Sequence, residues 1–259
     1  MLGVEMEIPL FPLRTVLAPG VALPLHVFET RYRALVRHCL DTSSPFGVVL
    51  IREGSEVAPP EGEEQDLAIA GVGTFAEIRE ADRFPDGRWS LLVVGGGRFV
   101  VGEVHDDRAP YLVADVEPLV DEAGDPALAA AMVARVARRF VDYLRLLQPR
   151  DGEAVDAIDV QVEVEVPERE DGDIRATPGG GPAELAAALT IPDDPSTLSL
   201  LLVGIVQVEP ERTQALIETT SAEERLRDLD ALLDREFLLL SRRLAPFVPP
   251  QASPDELAN

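Results

Sequence analysis

Lysine is missing altogether: all 23 basic residues of the 259-residue chain are arginine. A Walker A loop sets a lysine against the phosphates, and Schiff-base chemistry needs a lysine amine, so both are excluded. A serine–lysine dyad is excluded for the same reason. Cysteine is almost missing. Cys39 stands alone, so the chain forms no internal disulfide and nothing points to an oxidising compartment. The three imidazoles, His26, His38 and His105, occur without an HxH, HExxH or cysteine-pair spacing, and no metal or cofactor is expected. His38 and Cys39 are not a nucleophile–base pair, because adjacent helical residues point about 100° apart. No serine sits in a G-x-S-x-G elbow. Long apolar runs are lacking too: Leu198–Val206 is far short of the roughly 20 residues that span a bilayer. Met1–Glu7 is acidic and has no signal-peptide core, so a cytoplasmic protein is expected.

Positive charge is in deficit. Asp and Glu number 47, and the net charge is −24. Nucleic-acid binders carry a basic footprint to meet phosphate, and an anionic membrane surface would repel this chain; neither partner is expected. The hydrophobic fraction, 46%, is that of an ordinary globular protein.

What is present begins with Ile8–Leu40. Two short apolar runs, Ile8–Leu13 and Val21–Val27, are punctuated by Pro9, Pro12, Pro19 and Pro24, and Pro19-Gly20 marks a turn between them. Proline lacks an N–H, so these runs read as strands near a sheet edge. From Glu29 the period changes. Tyr32, Leu35, Val36 and Cys39 fall at i, i+3, i+4 and i+7, one stripe of a helix.

Downstream, Phe46–Arg52 reads as a buried strand and Gly54–Asp66 as an exposed loop. Gly71 and Gly73 suggest a bulge or bend within Leu67–Arg79. Asp86-Gly87 predicts a hairpin between Ala76–Ala81 and Trp89–Val94. Gly95-Gly96-Gly97 reads as a turn before Arg98–Val104, and Leu112–Leu119 follows. Short strands at this spacing fit a curled sheet or small barrel.

Near Asp121 the pattern becomes helical. Asp125-Pro126 and Asp194-Pro195 are cap-and-proline starts, and Pro210–Glu218 is a third helix. Ser221 and Glu224 form an S-x-x-E capping box ahead of an apolar stripe that runs to Leu244. These helices are expected to pack as an antiparallel bundle. Between the first two lies Ile158–Val166, whose strict alternation of apolar and acidic residues reads as a strand with one apolar face. A paired insertion, a disordered acidic loop and a partner-binding strand all fit it. Glu168–Gly181 is charged and glycine-rich and reads as mobile and protease-sensitive.

The segments PLFPL (Pro9–Leu13), LPLHVFETRYRALV (Leu23–Val36), FGVVL (Phe46–Leu50), GGGRFVVGEV (Gly95–Val104) and YLVADVEPL (Tyr111–Leu119) occur in an order that resembles the N-terminal substrate-binding domain of Lon proteases, the LON domain. The resemblance is good over Ile8–Leu119 and looser over the later helices. It implies an α+β fold: a PUA-like β pseudo-barrel with one early helix, then the helical bundle. The expected organisation is a barrel over residues 1–120, a bundle over 121–248 with an acidic insertion at 152–182, and a tail at 249–259.

The resemblance also implies a stand-alone, non-catalytic protein that recognises polypeptide, without the ATPase or peptidase parts. Its partners would be unfolded or exposed polypeptide segments, or a protease. The residues expected to touch peptide are Phe11, Phe28, Arg31 and Tyr32, because apolar pockets beside a sheet edge hold extended peptides. Each also has a structural reading: the aromatics as core, and Arg31 as an ion-pair partner tying helix to barrel. Two other function classes stay open at this point. One is a small hydrolase using carboxylates that no motif singles out; the other is a PUA-like RNA binder, against which the charge argues.

Overall fold

The computed structural model describes residues 6–54, 67–122, 125–146, 192 and 194–244. The alternating segment at 158–166, the glycine-rich loop at 168–181 and the tail at 249–259 lie outside the described residues. Seven strands come first: β1 (Met6–Leu13), β2 (Ala22–Val27), β3 (Phe46–Glu53), β4 (Ala68–Ile69), β5 (Val72–Arg83), β6 (Trp89–His105) and β7 (Val113–Leu119). Helix α1 (Thr30–Thr42) lies between β2 and β3. The helices α2 (Pro126–Leu146), α3 (Pro195–Ile205), α4 (Pro210–Glu218) and α5 (Ala222–Leu244) complete the described chain. Among the described residues no helix is long and apolar enough to cross a membrane.

The strands run in the order β1-β7-β6-β5-β3, and β3 then pairs in parallel with β1, so the sheet closes on itself. This is where the prolines sit. The first half of β1 pairs with β7 (Ile8↔Ala114, Pro9↔Val113) and the second half with β3 (Pro12↔Val49). β1 therefore closes the barrel and is not the edge strand that its prolines suggested. Each half carries only one ladder, and a residue with no N–H is tolerated where one side needs no donor. Among the described residues β2, with Pro24, pairs with β6 alone and forms an edge, as β4 does at the end of the path.

The triple glycine is not a turn. Gly95–Gly97 lies inside the 17-residue strand β6, where that strand passes from β2 (Trp89–Val94) to β7 (Arg98–His105). The β1–β2 loop crosses there: Gly20 N–H donates to Gly95 O at 2.7 Å and Gly95 N–H to Val21 O at 3.0 Å. A Cβ on Gly95 would collide with the backbone carbonyl of Ala18. The predicted bend also shifts: Gly71 separates β4 from β5, and the register irregularities fall between Thr74 and Ala76 and between Ile78 and Glu80.

Inside the barrel, Phe99 lies against Gly47 and Gly73; a Cβ on Gly47 would come within 2.6 Å of the ring. Helix α1 buries Tyr32, Leu35, Val36 and Cys39, the stripe expected from its period, against Phe11, Phe46, Leu91 and Val93. Each such side chain taken fully out of water contributes about 1.5–3 kcal/mol.

The helices build a second cluster around Phe140, Leu198, Leu202, Ile217, Leu226 and Leu229, and Ala18 of the β1–β2 loop belongs to it. Gly204 permits this contact, since a Cβ there would lie 2.8 Å from that of Ala18. The caps form as expected: Asp125 Oδ1 accepts from Ala127 N, Asp194 Oδ2 from Thr197 N, and Ser221 Oγ from Glu224 N. The direction of one helix pair differs from expectation. A parallel bridge joins Glu122 to Ser221, and Arg135 pairs with Asp230 and Arg139 with Asp234, so α2 and α5 run the same way. Antiparallel packing follows only where short loops join neighbours, and α3 and α4 intervene here.

The starts of α3 and α5 meet at Asp121. Its carboxylate accepts from Arg98 of β6, from Ser196 of α3 and from Arg225 of α5. Arg98 Nη1 also donates to Ile217 O and Thr219 O, and Arg225 Nε to Ser199 Oγ. Both guanidiniums are buried. Burial alone would raise the Asp121 carboxyl. The hydrogen bonds from Arg225 and Ser196 and the charges of Arg225 and Arg98 outweigh it, holding the carboxyl below the usual carboxylate range.

Candidate functional site

The four expected contact residues separate into two groups. Phe11 and Tyr32 are core: 6% and 4% exposed, their rings stacked with centroids 4.1 Å apart. Arg31 lies 4.5 Å over the Tyr32 ring and pairs with Glu29 at 2.9 Å, both of them neighbours at the start of its own helix. Phe28, three residues before Arg31, is 59% exposed. Only this one presents an aromatic ring to an incoming chain.

Phe28 borders an apolar cleft of about 290 Å³, lined also by His26, Val27, Phe84, Arg88 and Trp89. Two pieces of local structure build it. The β2–β6 ladder sets Val27 opposite Trp89, and the β5–β6 ladder sets Trp89 opposite Arg83. The hairpin predicted at Asp86-Gly87 then brings Phe84 beside Arg88: Phe84 N–H donates to Arg88 O, and Gly87, at φ 83°, donates back to Phe84 O. Positive φ suits glycine, which has no Cβ to clash. The Arg33 guanidinium packs under Gly87 and leaves no room for a Cβ.

Arg88 lines the cleft from its exposed rim and is paired there with Asp86. Asp86 Oδ1 accepts from the Arg88 backbone N–H at 3.0 Å and Asp86 Oδ2 from the Arg88 Nε at 2.7 Å. The Arg88 guanidinium stands 5.8 Å from the Phe84 ring centroid, and that of Arg83 5.8 Å from Trp89. The backbone N–H of Arg88 is the main reason that the Asp86 carboxyl is held below its usual range. No carboxylate lines the cleft among the described residues. The arrangement offers an apolar seat and a planar cation, and no nucleophile–base pair.

Phe84, Arg88 and Trp89 were not among the expected residues. The Asp86-Gly87 signal locates the hairpin and so its flanking side chains. That these meet Phe28 depends on β2 pairing with β6, which no local pattern announces. Elsewhere, one group of potential metal ligands occurs among the described residues: Glu103, His105 and Asp115. Asp115 Oδ2 lies 3.1 Å from His105 Nε2, while Glu103 Oε1 lies 3.9 Å from Nδ1. One ligand atom from each lies within 4.8 Å of the other two, but the Glu103 side chain is mostly in water and only Asp115 is within hydrogen-bond reach of the imidazole.

Comparison with known proteins gives the family. The model of the ATP-dependent protease La (LON) substrate-binding domain matches residues 7–235. The chain belongs to this family. The match runs through the helices as well as the barrel, further than the motif residues reached. Lon protease 2 of Myxococcus xanthus is 26% identical over 244 residues, which is 93% of this chain and 25% of that protein. A Lon protease of Parabacteroides distasonis is 33% identical over 119 residues, 46% of this chain and 14% of that one. The chain thus spans about a quarter of the first of these relatives. Among solved structures, the N-terminal domain of a Mycobacterium avium complex Lon protease superposes with a TM-score of 0.58 at 17% identity, covering 88% of this chain and 98% of that one. A Lon N-terminal domain protein from Xanthomonas campestris gives 0.50 at 24% identity, over 87% and 98%. At these identities the solved structures establish that the fold is that of Lon N-terminal domains.

Proposed function

We propose that this Lon-type domain recognises polypeptide and performs no chemistry of its own, serving the selection of unfolded or exposed segments for proteolysis. One observation carries the reading to a place on the molecule. An apolar cleft on a Lon substrate-binding fold presents two accessible phenylalanines, Phe28 and Phe84, at 59% and 44% exposure. Exposed aromatics around a concavity are how proteins hold extended peptide side chains. The missing lysine supports the non-catalytic half, since no phosphate-gripping lysine and no serine–lysine dyad is available. The edge of β2 that carries no ladder among the described residues contributes less. Pro24 removes a backbone donor there, and proline on an edge strand discourages strand addition.

The test is binding of a reduced, alkylated, permanently unfolded model protein to the wild type and to Phe28→Ala and Phe84→Ala, with melting temperatures measured alongside. The expected result is severalfold weaker binding with melting temperatures essentially unchanged. A competing apolar surface exists on α5, where Phe237, Leu238 and Leu239 are all exposed. Unchanged binding in both cleft variants, with loss on Leu238→Glu, would place recognition on the helices and overturn the cleft.

A further inference from the structure

We infer that the cleft selects segments in which a large apolar side chain is followed two residues later by an acidic one. The inference rests on the polypeptide-recognition reading and names its substrate class. Its first ground is charge. Acids outnumber bases 47 to 23 in this chain, yet among the described residues the only charged side chain lining the cleft is Arg88, which shares its Nε edge with Asp86 just outside it. The second ground is how Arg88 is held. Asp86 accepts from the backbone N–H and the Nε, so one edge of this exposed guanidinium is taken and the other is turned outward. Its two terminal NH₂ groups donate no hydrogen bond among the described residues, and this edge of the fork accepts a carboxylate bidentately. The Phe84 ring supports the guanidinium on one side.

The spacing follows from the geometry of an extended chain, in which residues i and i+2 point the same way. An apolar residue seated among Phe28, Phe84 and Trp89 therefore directs the side chain two positions on toward the same wall, where Arg88 stands. The residue between them faces solvent and is unrestricted. The committed source of the negative charge is an Asp or Glu side chain within a segment, not a chain terminus.

Trp89 is the only tryptophan in the protein and lines the cleft, so its fluorescence reads occupancy directly. The probes are acetylated, amidated heptapeptides centred on Phe-Ser-Glu, Phe-Ser-Gln, Phe-Ser-Lys and Ala-Ser-Glu, together with a Phe-Ser-Gln peptide bearing a free C-terminal carboxylate. The full chain is titrated with each. Phe-Ser-Glu should bind about tenfold more tightly than Phe-Ser-Gln, the scale of one charge-assisted hydrogen-bonded pair, and Phe-Ser-Lys more weakly still. Ala-Ser-Glu should not bind measurably. Arg88→Gln should erase the Glu-over-Gln preference, and Arg88→Glu should move it to Phe-Ser-Lys. Because Arg88 also anchors the hairpin, Phe28→Ala in the connection between β2 and α1 gives an independent check and should weaken every Phe peptide equally.

Equal affinity for the Glu, Gln and Lys peptides would overturn the inference and leave polypeptide recognition standing. Tighter binding of the free-carboxylate peptide than of Phe-Ser-Glu would assign the charge to chain termini and also overturn it. If unfolded protein binds but no peptide perturbs Trp89, the site is elsewhere and the inference falls. If unfolded protein does not bind at all, polypeptide recognition itself fails.

Discussion

Asp121→Asn exchanges one carboxylate oxygen for an amide nitrogen and is expected to be strongly destabilising. The carboxylate accepts from two buried arginines that come from different parts of the chain, Arg98 of β6 at 3% exposure and Arg225 of α5 at 0%. It also holds Ser196 at the start of α3. Asparagine keeps the shape and one acceptor. It removes the only negative charge hydrogen-bonded to either guanidinium among the described residues, and leaves the two cations facing each other. Burial and the like charge of Arg225 both already lower the Arg98 pKa, and Asp121 opposes them. Breaking a buried pair by removing one partner costs about 3–5 kcal/mol. Against a total stability of about 5–15 kcal/mol, that is a large share. In a domain of this size it lowers the melting temperature by roughly 6–20 °C. The assay is urea and thermal unfolding at pH 7. Acid titration adds a second readout. A carboxyl with a depressed folded pKa is bound to fewer protons in the folded state than in the unfolded one. Its contribution is complete above the unfolded value of about 4 and is lost as pH falls through the lower, folded one. The gap between wild type and Asp121→Asn should therefore be constant near neutrality and close below about pH 4. A loss under about 1 kcal/mol at pH 7, or a gap that persists to acid pH, would refute the claim that this carboxylate holds barrel and helices together.

Other expectations follow from single contacts. Gly95→Ala should prevent folding or destabilise severely, because its Cβ meets the rigid backbone carbonyl of Ala18; circular dichroism and expression in the soluble fraction decide it, and a native-like melting temperature would count against the crossing. Burial pushes the Cys39 thiol up to about 11, so it should resist a thiol reagent at pH 8 until urea unfolds the chain; rapid labelling of the native protein would contradict its place in the core. Phe11→Ala should cost about 3–5 kcal/mol and Phe28→Ala under about 1 kcal/mol in denaturant unfolding, since one ring is stacked in the core and the other is mostly in water.

Signals that were legible in the sequence share a physical property: their hydrogen bonds close within a few residues. The Asp125 and Asp194 caps, the Asp86-Gly87 hairpin and the α1 stripe need only their own neighbours. Signals that misled depend on a partner far along the chain. Three consecutive glycines look like a turn in isolation, but Gly95 is required where the Ala18 backbone presses on a continuous strand. Prolines in β1 look like an edge, yet that strand changes partner halfway. The shared direction of α2 and α5 follows from the chain that intervenes between them and shows in pairs such as Arg135–Asp230, which no period within either helix encodes.

The same distinction explains the candidate site. Within the motif that marks the family, most residues hold one another: Phe11 stacks on Tyr32, Arg31 covers Tyr32, and Glu29 pairs with Arg31. Such a motif reports a fold, because its members are one another's partners. Phe28 lies in the midst of it and is the exception: its ring stays mostly exposed, at the border of a cleft whose other walls come from β2 and from the hairpin of β5 and β6. Exposure of a large apolar group has a solvation cost that packing would have removed. A residue set among self-sufficient neighbours and left facing water is therefore the place to look for an external partner, and in this chain the hairpin supplies that place with a second phenylalanine and an exposed arginine.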